Sequence, residues 1–199
     1  MAVKVIIKPG GIALISLGVL ALSAQAVLQS RSRSNTAAAA SSTVAAAPKS
    51  ASPAPSLAED QFWSSSKTPG EVPLVVEQDT SAPSGTGRVA HLKITAAHGE
   101  SWDLQTGVGI PVAQKVGDKK TLHFWGKTSG SESRLTVAVE FNTEPFEKFV
   151  SEDISLTSEW KEYTVPVTFT KEVPLGKGNI TFQAGKATAD VLISGVRFD

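Results

Sequence analysis

The 199 residues carry 19 Lys+Arg against 19 Asp+Glu, so the formal charge is zero and no global field draws the chain to nucleic acid or an anionic membrane. There is no cysteine, which excludes disulfides, thiolate metal sites and cysteine nucleophiles. In chain order, Lys4 and Lys8 precede an apolar stretch over residues 12–28, and Ala24-Gln25-Ala26 fits a small-x-small cleavage site. The run before Ser23 suits a cleaved export signal. An uncleaved anchor needs about 20 apolar residues, and 10–28 comes close. Both readings stay open, and both place the rest of the chain outside the cytoplasm, secreted, periplasmic or anchored. Residues 1–29 are therefore expected to be a signal peptide or membrane anchor. Residues 30–58 are Ser, Ala and Pro with almost no large side chains. They cannot bury enough area to offset ordering entropy and read as a linker.

The folded domain is expected over 59–199, where all four Trp and all eight Phe lie. Short strands separated by Gly-, Pro- and Ser-rich turns follow one another: 74–78, 88–96, 101–107, 110–113, 121–127, 134–142, 149–156, 162–170, 179–184 and 190–198. In the segment 100–105, Trp102 and Leu104 alternate with Asp103 and Gln105. In 120–127, Leu122 and Phe124 alternate with His123 and Trp125. In 134–142, Leu135, Val137, Val139 and Phe141 share one face. Period-two alternation marks strands with one wet face. No long window has helical period. The fold class is all-β, a jelly-roll β-sandwich.

The ordered series Trp-Asp-Leu-Gln, Val-Gly-Asp, Leu-His-Phe-Trp-Gly-Lys, Arg-Leu-Thr-Val, Ser-Leu-Thr-Ser-Glu-Trp-Lys-Glu-Tyr-Thr and Val-Leu-Ile-Ser-Gly-Val-Arg-Phe resembles carbohydrate-binding modules of the family 4, 9 and 22 type. The resemblance runs from about Phe62 to Phe198. It implies a galactose-binding-like jelly roll, a glycan ligand and no catalysis. It also implies a structural calcium between Glu59 or Asp60 and the last strand. Ser194-Gly195 stands where family members often carry an Asp-rich step, which weakens that site. No other cofactor or metal is expected.

If Trp102, Leu104, Leu122, Phe124, Val137 and Val139 take the core and their strands share one sheet, the opposite face shows Asp103, Gln105, His123, Trp125, Thr136, Ala138 and Glu140. Such a face joins an indole to hydrogen-bonding groups, and sugars need both. By resemblance, Gln105 and Trp125 are the leading ligand contacts. His123, Asp103 and Glu140 lie on the same face, and Phe146 lines the groove mouth. Competing readings keep Trp125 as a cover against a loop, and Gln105, His123 and Glu140 as solvated strand residues. Phe146 also reads as a plug under its loop. Trp102 is expected in the core and Trp160 as a structural anchor, while Trp63 reads as packed under the N-terminal strand or, alternatively, as an exposed loop-tip binder.

A glycosidase needs two opposed carboxylates at about 5 or 6.5–9.5 Å, and nothing fixes Glu144, Glu147, Glu152 and Asp153 in opposition. No Gly-x-Ser-x-Gly elbow is present. His91, His98 and Glu100 match no metal spacing, and Gly176-Lys177-Gly178 reads as a hairpin turn. The expected function is non-catalytic polysaccharide or oligosaccharide binding by a monomer, with membrane contact only through the N-terminal segment. The alternative is a structural or protein-interaction adaptor at the cell surface. An unrecognised hydrolase is the third reading.

Overall fold

The structure, a computed structural model, describes residues 57–96 and 98–199. The expected signal or anchor segment and the linker up to residue 56 lie outside the described residues. The described fold begins at Leu57, whose N–H donates to the Val196 carbonyl at 2.6 Å and whose side chain packs against the core.

Ten strands follow in chain order: β1 (Trp63–Ser66), β2 (Leu74–Gln78), β3 (Arg88–Leu92), β4 (Leu104–Gly109), β5 (Lys119–Thr128), β6 (Glu132–Phe141), β7 (Lys148–Thr157), β8 (Lys161–Thr168), β9 (Gly178–Gln183) and β10 (Val191–Phe198). They form two five-stranded sheets in the orders β1-β4-β9-β6-β7 and β2-β3-β10-β5-β8, with every pairing antiparallel. This is the all-β sandwich expected from the alternation.

The core is the set of inward positions. Leu122 and Phe124 of β5, Leu135, Val137 and Val139 of β6, and Ile180 and Phe182 of β9 are all fully buried. Cross-strand pairing puts Val137 opposite Phe182 and Val139 opposite Ile180. Phe124 bridges the sheets, stacked on Tyr163 at 5.4 Å and edge-on to Phe182 at 5.1 Å. Each such side chain contributes about 1.5–3 kcal/mol by leaving water.

Two expectations about local structure are corrected. Ser101–Asp103 is a 3-10 turn, not the start of a strand. Its cause is Asp103, whose Oδ2 accepts from the Glu100 N–H at 2.9 Å and closes the turn. Trp102 therefore leaves the inward register of Leu104 and is 55% exposed rather than core. Residues 110–113 form no strand, and only an isolated bridge pairs Gln114 with Val173.

A second correction concerns sheet membership. β4 and β6 lie in one sheet and β5 in the other, so the outward side chains of these three strands do not make one surface. The loop 79–87 covers part of the outer face of the second sheet. There Trp160 packs with Ala82, Val89 and Leu192, donates from Nε1 to Ser81 Oγ at 3.1 Å, and lies 4.8 Å beneath Lys127 Nζ. Lys127 in turn pairs with Asp79 at 2.9 Å. Trp160 is thus the structural anchor expected of it.

Candidate glycan groove on the first sheet

The outer face of the first sheet is built by register. Ser65, Gln105, Gln183, Thr136 and Asp153 form one cross-strand row. Trp63, Gly107, Thr181, Ala138 and Ser151 form the next, and Gly109, Asn179, Glu140 and Lys148 a third. Alternation sends these residues outward because their neighbours Leu104, Val108, Val137, Val139, Ile180 and Phe182 fill the core.

A groove of about 290 Å³ opens on this face. Gln105, Asn179, Gln183, Glu140 and Lys148 line its floor, and Trp63, Trp102, Pro145 and Phe146 stand around it. The polar floor is cross-linked. Ser101 Oγ donates to Gln183 Oε1 at 3.2 Å, Gln183 Nε2 to Thr181 Oγ1 at 3.4 Å, and Thr181 Oγ1 to Glu140 Oε1 at 3.3 Å. Glu140 is 5% exposed and is paired with the Lys148 ammonium, which offsets its desolvation. Gln105 donates to Ser65 Oγ at 3.3 Å and leaves Oε1 without a partner among the described residues. Thr136 donates to Asp153 at 2.6 Å.

The walls are held by backbone geometry. The Trp63 indole lies directly on Gly107. A β-carbon at Gly107 would come 2.8 Å from Trp63 Cζ2 and 2.6 Å from the Ile180 carbonyl. Trp102 rides on the turn closed by Asp103. That turn docks on Gly185, whose N–H donates to the Ser101 carbonyl at 2.7 Å. A β-carbon at Gly185 would meet the Glu100 carbonyl at 2.0 Å. Phe146 is 47% exposed on the β6–β7 loop, where it has a positive φ of 52°.

The predicted site residues divide as follows. Gln105, Glu140 and Phe146 reach the groove. Asp103 is buried and spent on the turn. The Glu100 N–H, which donates to it, is the main cause of a carboxyl held below its usual range, and Lys67 at 3.5 Å adds to the effect. Trp125 and His123 project from β5 on the other sheet. Trp125 is half-buried beside Gly195, where a β-carbon would lie 3.3 Å from its Cδ1, next to the covering Ser84. His123 sits 3.3 Å from Asp199 and 3.9 Å from Glu162. The groove residues outside the predicted site set are Trp63, Trp102, Pro145, Lys148, Asn179 and Gln183. Outward alternation along 179–183 could have found Asn179 and Gln183; the turn at 101–103 hid Trp102.

For the calcium implied by the resemblance, the donor set is poor. Glu59 is buried and its Oε1 accepts from the Gly195 N–H at 3.0 Å, while Ser194 Oγ donates to the Arg88 carbonyl at 2.6 Å. Among the described residues no three His, Cys, Asp or Glu side chains gather as a metal site, and calcium takes 6–8 oxygens. Among the described residues, no helix is long and apolar enough to cross a membrane.

No protein-family model and no curated protein matches the chain. Solved structures do. A family 4 carbohydrate-binding module superposes with a TM-score of 0.54 at 18% identity, covering 71% of this chain and 87% of that one. The N-terminal cellulose-binding domain of Cellulomonas fimi β-1,4-glucanase C gives 0.54 at 20% identity, covering 75% and 97%. The CBM22-1 and GH10 modules of a Clostridium thermocellum xylanase, complexed with xylohexaose, give 0.51 at 12% identity, covering 72% of this chain and 27% of that one. These three neighbours are or contain carbohydrate-binding modules, and at these identities the likeness is one of fold.

Proposed function

We propose that the domain binds a polysaccharide or oligosaccharide chain in the groove of the first sheet without cleaving it. The observation that carries this reading is the groove itself, an open row of amide and charged side chains flanked by Trp63, Trp102 and Phe146. Sugar rings present apolar C–H faces to aromatic walls and hydroxyls to a floor of fixed donors and acceptors. The floor is largely preorganised by its own hydrogen bonds, which lowers the ordering cost of binding. Glu140 is the only carboxylate among the residues lining the groove, and it is tied to Lys148. Hydrolysis needs a second carboxylate facing it across the bond, so binding without chemistry is favoured. The comparisons support this reading through fold, since the neighbours include a cellulose-binding domain and a module in a xylohexaose complex.

The apolar segment at 12–28 supports an exported module, secreted if that segment is removed and tethered to a membrane if it stays. The domain acts as a monomer in this reading. Affinity gel electrophoresis and a glycan array on the full chain test the function. Retardation by at least one neutral polysaccharide is expected. A folded protein that binds no glycan would shift the assignment to a protein-interaction adaptor.

A further inference from the structure

One end of the sandwich carries a lobe made of two segments, 110–118 and 169–177. Backbone bonds weld them together. The Ile110 N–H donates to Gly178 at 2.9 Å, Gln114 and Val173 exchange both bonds at 2.9 Å, and the Gly117 N–H donates to Phe169 at 2.7 Å. Ile110, Phe169 and Val173 are buried beneath. Above them Val112 is 52%, Val116 68% and Leu175 68% exposed. The crest is rimmed by Lys115, Lys119, Lys171 and Lys177, all exposed. Of the acidic groups at this end, Asp118 turns inward to accept the Lys115 N–H at 2.7 Å, Glu147 pairs with Lys171 at 2.7 Å, Asp199 lies 3.3 Å from His123, and Glu172 is exposed.

The chain enters the domain at this same end. Leu57 bonds to Val196 near the end of β10, and Trp63 pairs with Gly107 toward the end of β4 that leads into the lobe. Asp199 exchanges both backbone bonds with Thr121, at the start of β5 where the lobe hands over. Upstream of Leu57 the sequence holds the apolar stretch 12–28 and its Ser/Ala/Pro spacer.

We propose that the crest of Val112, Val116 and Leu175 docks on an anionic lipid bilayer. Aliphatic tips ringed by lysines match the two layers of such a surface, acyl boundary and anionic headgroups. Three separate tips bury far less than the about 1,200–2,000 Å² of a stable protein interface. The described chain begins at Leu57, at this same end of the sandwich. The domain then rests on the bilayer with its glycan groove on the side wall.

The test is co-sedimentation of residues 49–199, a compact unit with its own core, so that the apolar N-terminal segment contributes nothing. Vesicles of phosphatidylcholine alone are compared with vesicles containing a quarter phosphatidylglycerol, at millimolar lipid. Salt-sensitive binding to the anionic vesicles is expected. The Val112→Ser/Val116→Ser/Leu175→Ser variant should lose about tenfold or more of that binding, with melting temperature and glycan retardation kept. No sedimentation of the parent protein, or equal sedimentation of the variant, overturns the proposal. So does a concentration-dependent dimer that the triple variant abolishes while vesicles stay unbound, which would assign the crest to a second copy. Glycan retardation is read separately, so either reading can fail alone.

Discussion

Replacing Trp102 by Ala should cost affinity for a glycan, whereas replacing Trp125 should not. Trp102 is 55% exposed in the groove wall. Of an indole's ~250 Å² that leaves about 140 Å², and a sugar stacked on one face covers roughly half, about 70 Å². At ~25 cal/mol per Å² this is about 1.7 kcal/mol, or a Kd weaker by roughly 10–20-fold. Trp125 is on the other sheet beside Ser84 and Gly195, so Trp125→Ala should lower the melting temperature and leave Kd within about twofold. Isothermal titration with a retarded polysaccharide or its oligosaccharide, alongside thermal melts, reads both quantities. Refutation would be a Trp102→Ala protein with unchanged Kd. A Trp125→Ala protein that folds normally but no longer binds would move the site to the second sheet.

Three further outcomes are expected. Gly107→Ala forces a methyl against Trp63 and the Ile180 carbonyl; it should destabilise by about 1–3 kcal/mol and weaken glycan binding. Adding Trp63→Ala should recover part of the melting temperature and none of the affinity. Lys148→Met leaves the buried Glu140 carboxylate with Thr181 alone. Urea titration should show a loss of about 1–3 kcal/mol, reduced when Glu140→Gln is added. Asp79 is held down to about 2, first by the Ser81 hydroxyl and then by Lys127. Its folded value lies below the ordinary 3.8, so its contribution is present above that value and is lost as pH falls toward 2. Tryptophan fluorescence, which senses Trp160 in the same loop contact, should change over that window in the parent and stay flatter in Asp79→Asn.

The strands most visible in the sequence are those with an uninterrupted period of two. Both β5 and β6 are expected within a few residues of their observed ends, because each sends an apolar side chain into the core at every second position. β1 went unseen because Trp-Ser-Ser-Ser is an edge strand with no apolar alternation to betray it. Trp102 misled for a different reason. Its spacing from Leu104 mimics a strand, and the turn is made by local competitors for the backbone, chief among them the Asp103 carboxylate that accepts from the Glu100 N–H. The grouping of Trp125 and His123 on one face with Gln105 and Glu140 failed at a still higher level. Alternation says which side of a strand is wet but not which sheet owns the strand. That is decided by β5 pairing with β10 and β8 while β4 pairs with β1 and β9. Gln105, Glu140 and Phe146 escaped this ambiguity, since β4, β6 and the loop after β6 all belong to the grooved sheet.

The contact between Gly185 and the Glu100 carbonyl bears on how the domain tolerates change. No side chain at position 185 touches the groove, yet none larger than hydrogen fits while the Ser101 turn stays seated. The placement of Trp102 is therefore controlled from behind, by a residue that a survey of groove contacts would never include. On the proposed function, variation among the groove's own polar residues would retune which glycan is preferred with the wall left standing. A single substitution at Gly185 would instead shift the wall for every ligand at once, so selectivity and competence are governed by separate parts of the chain.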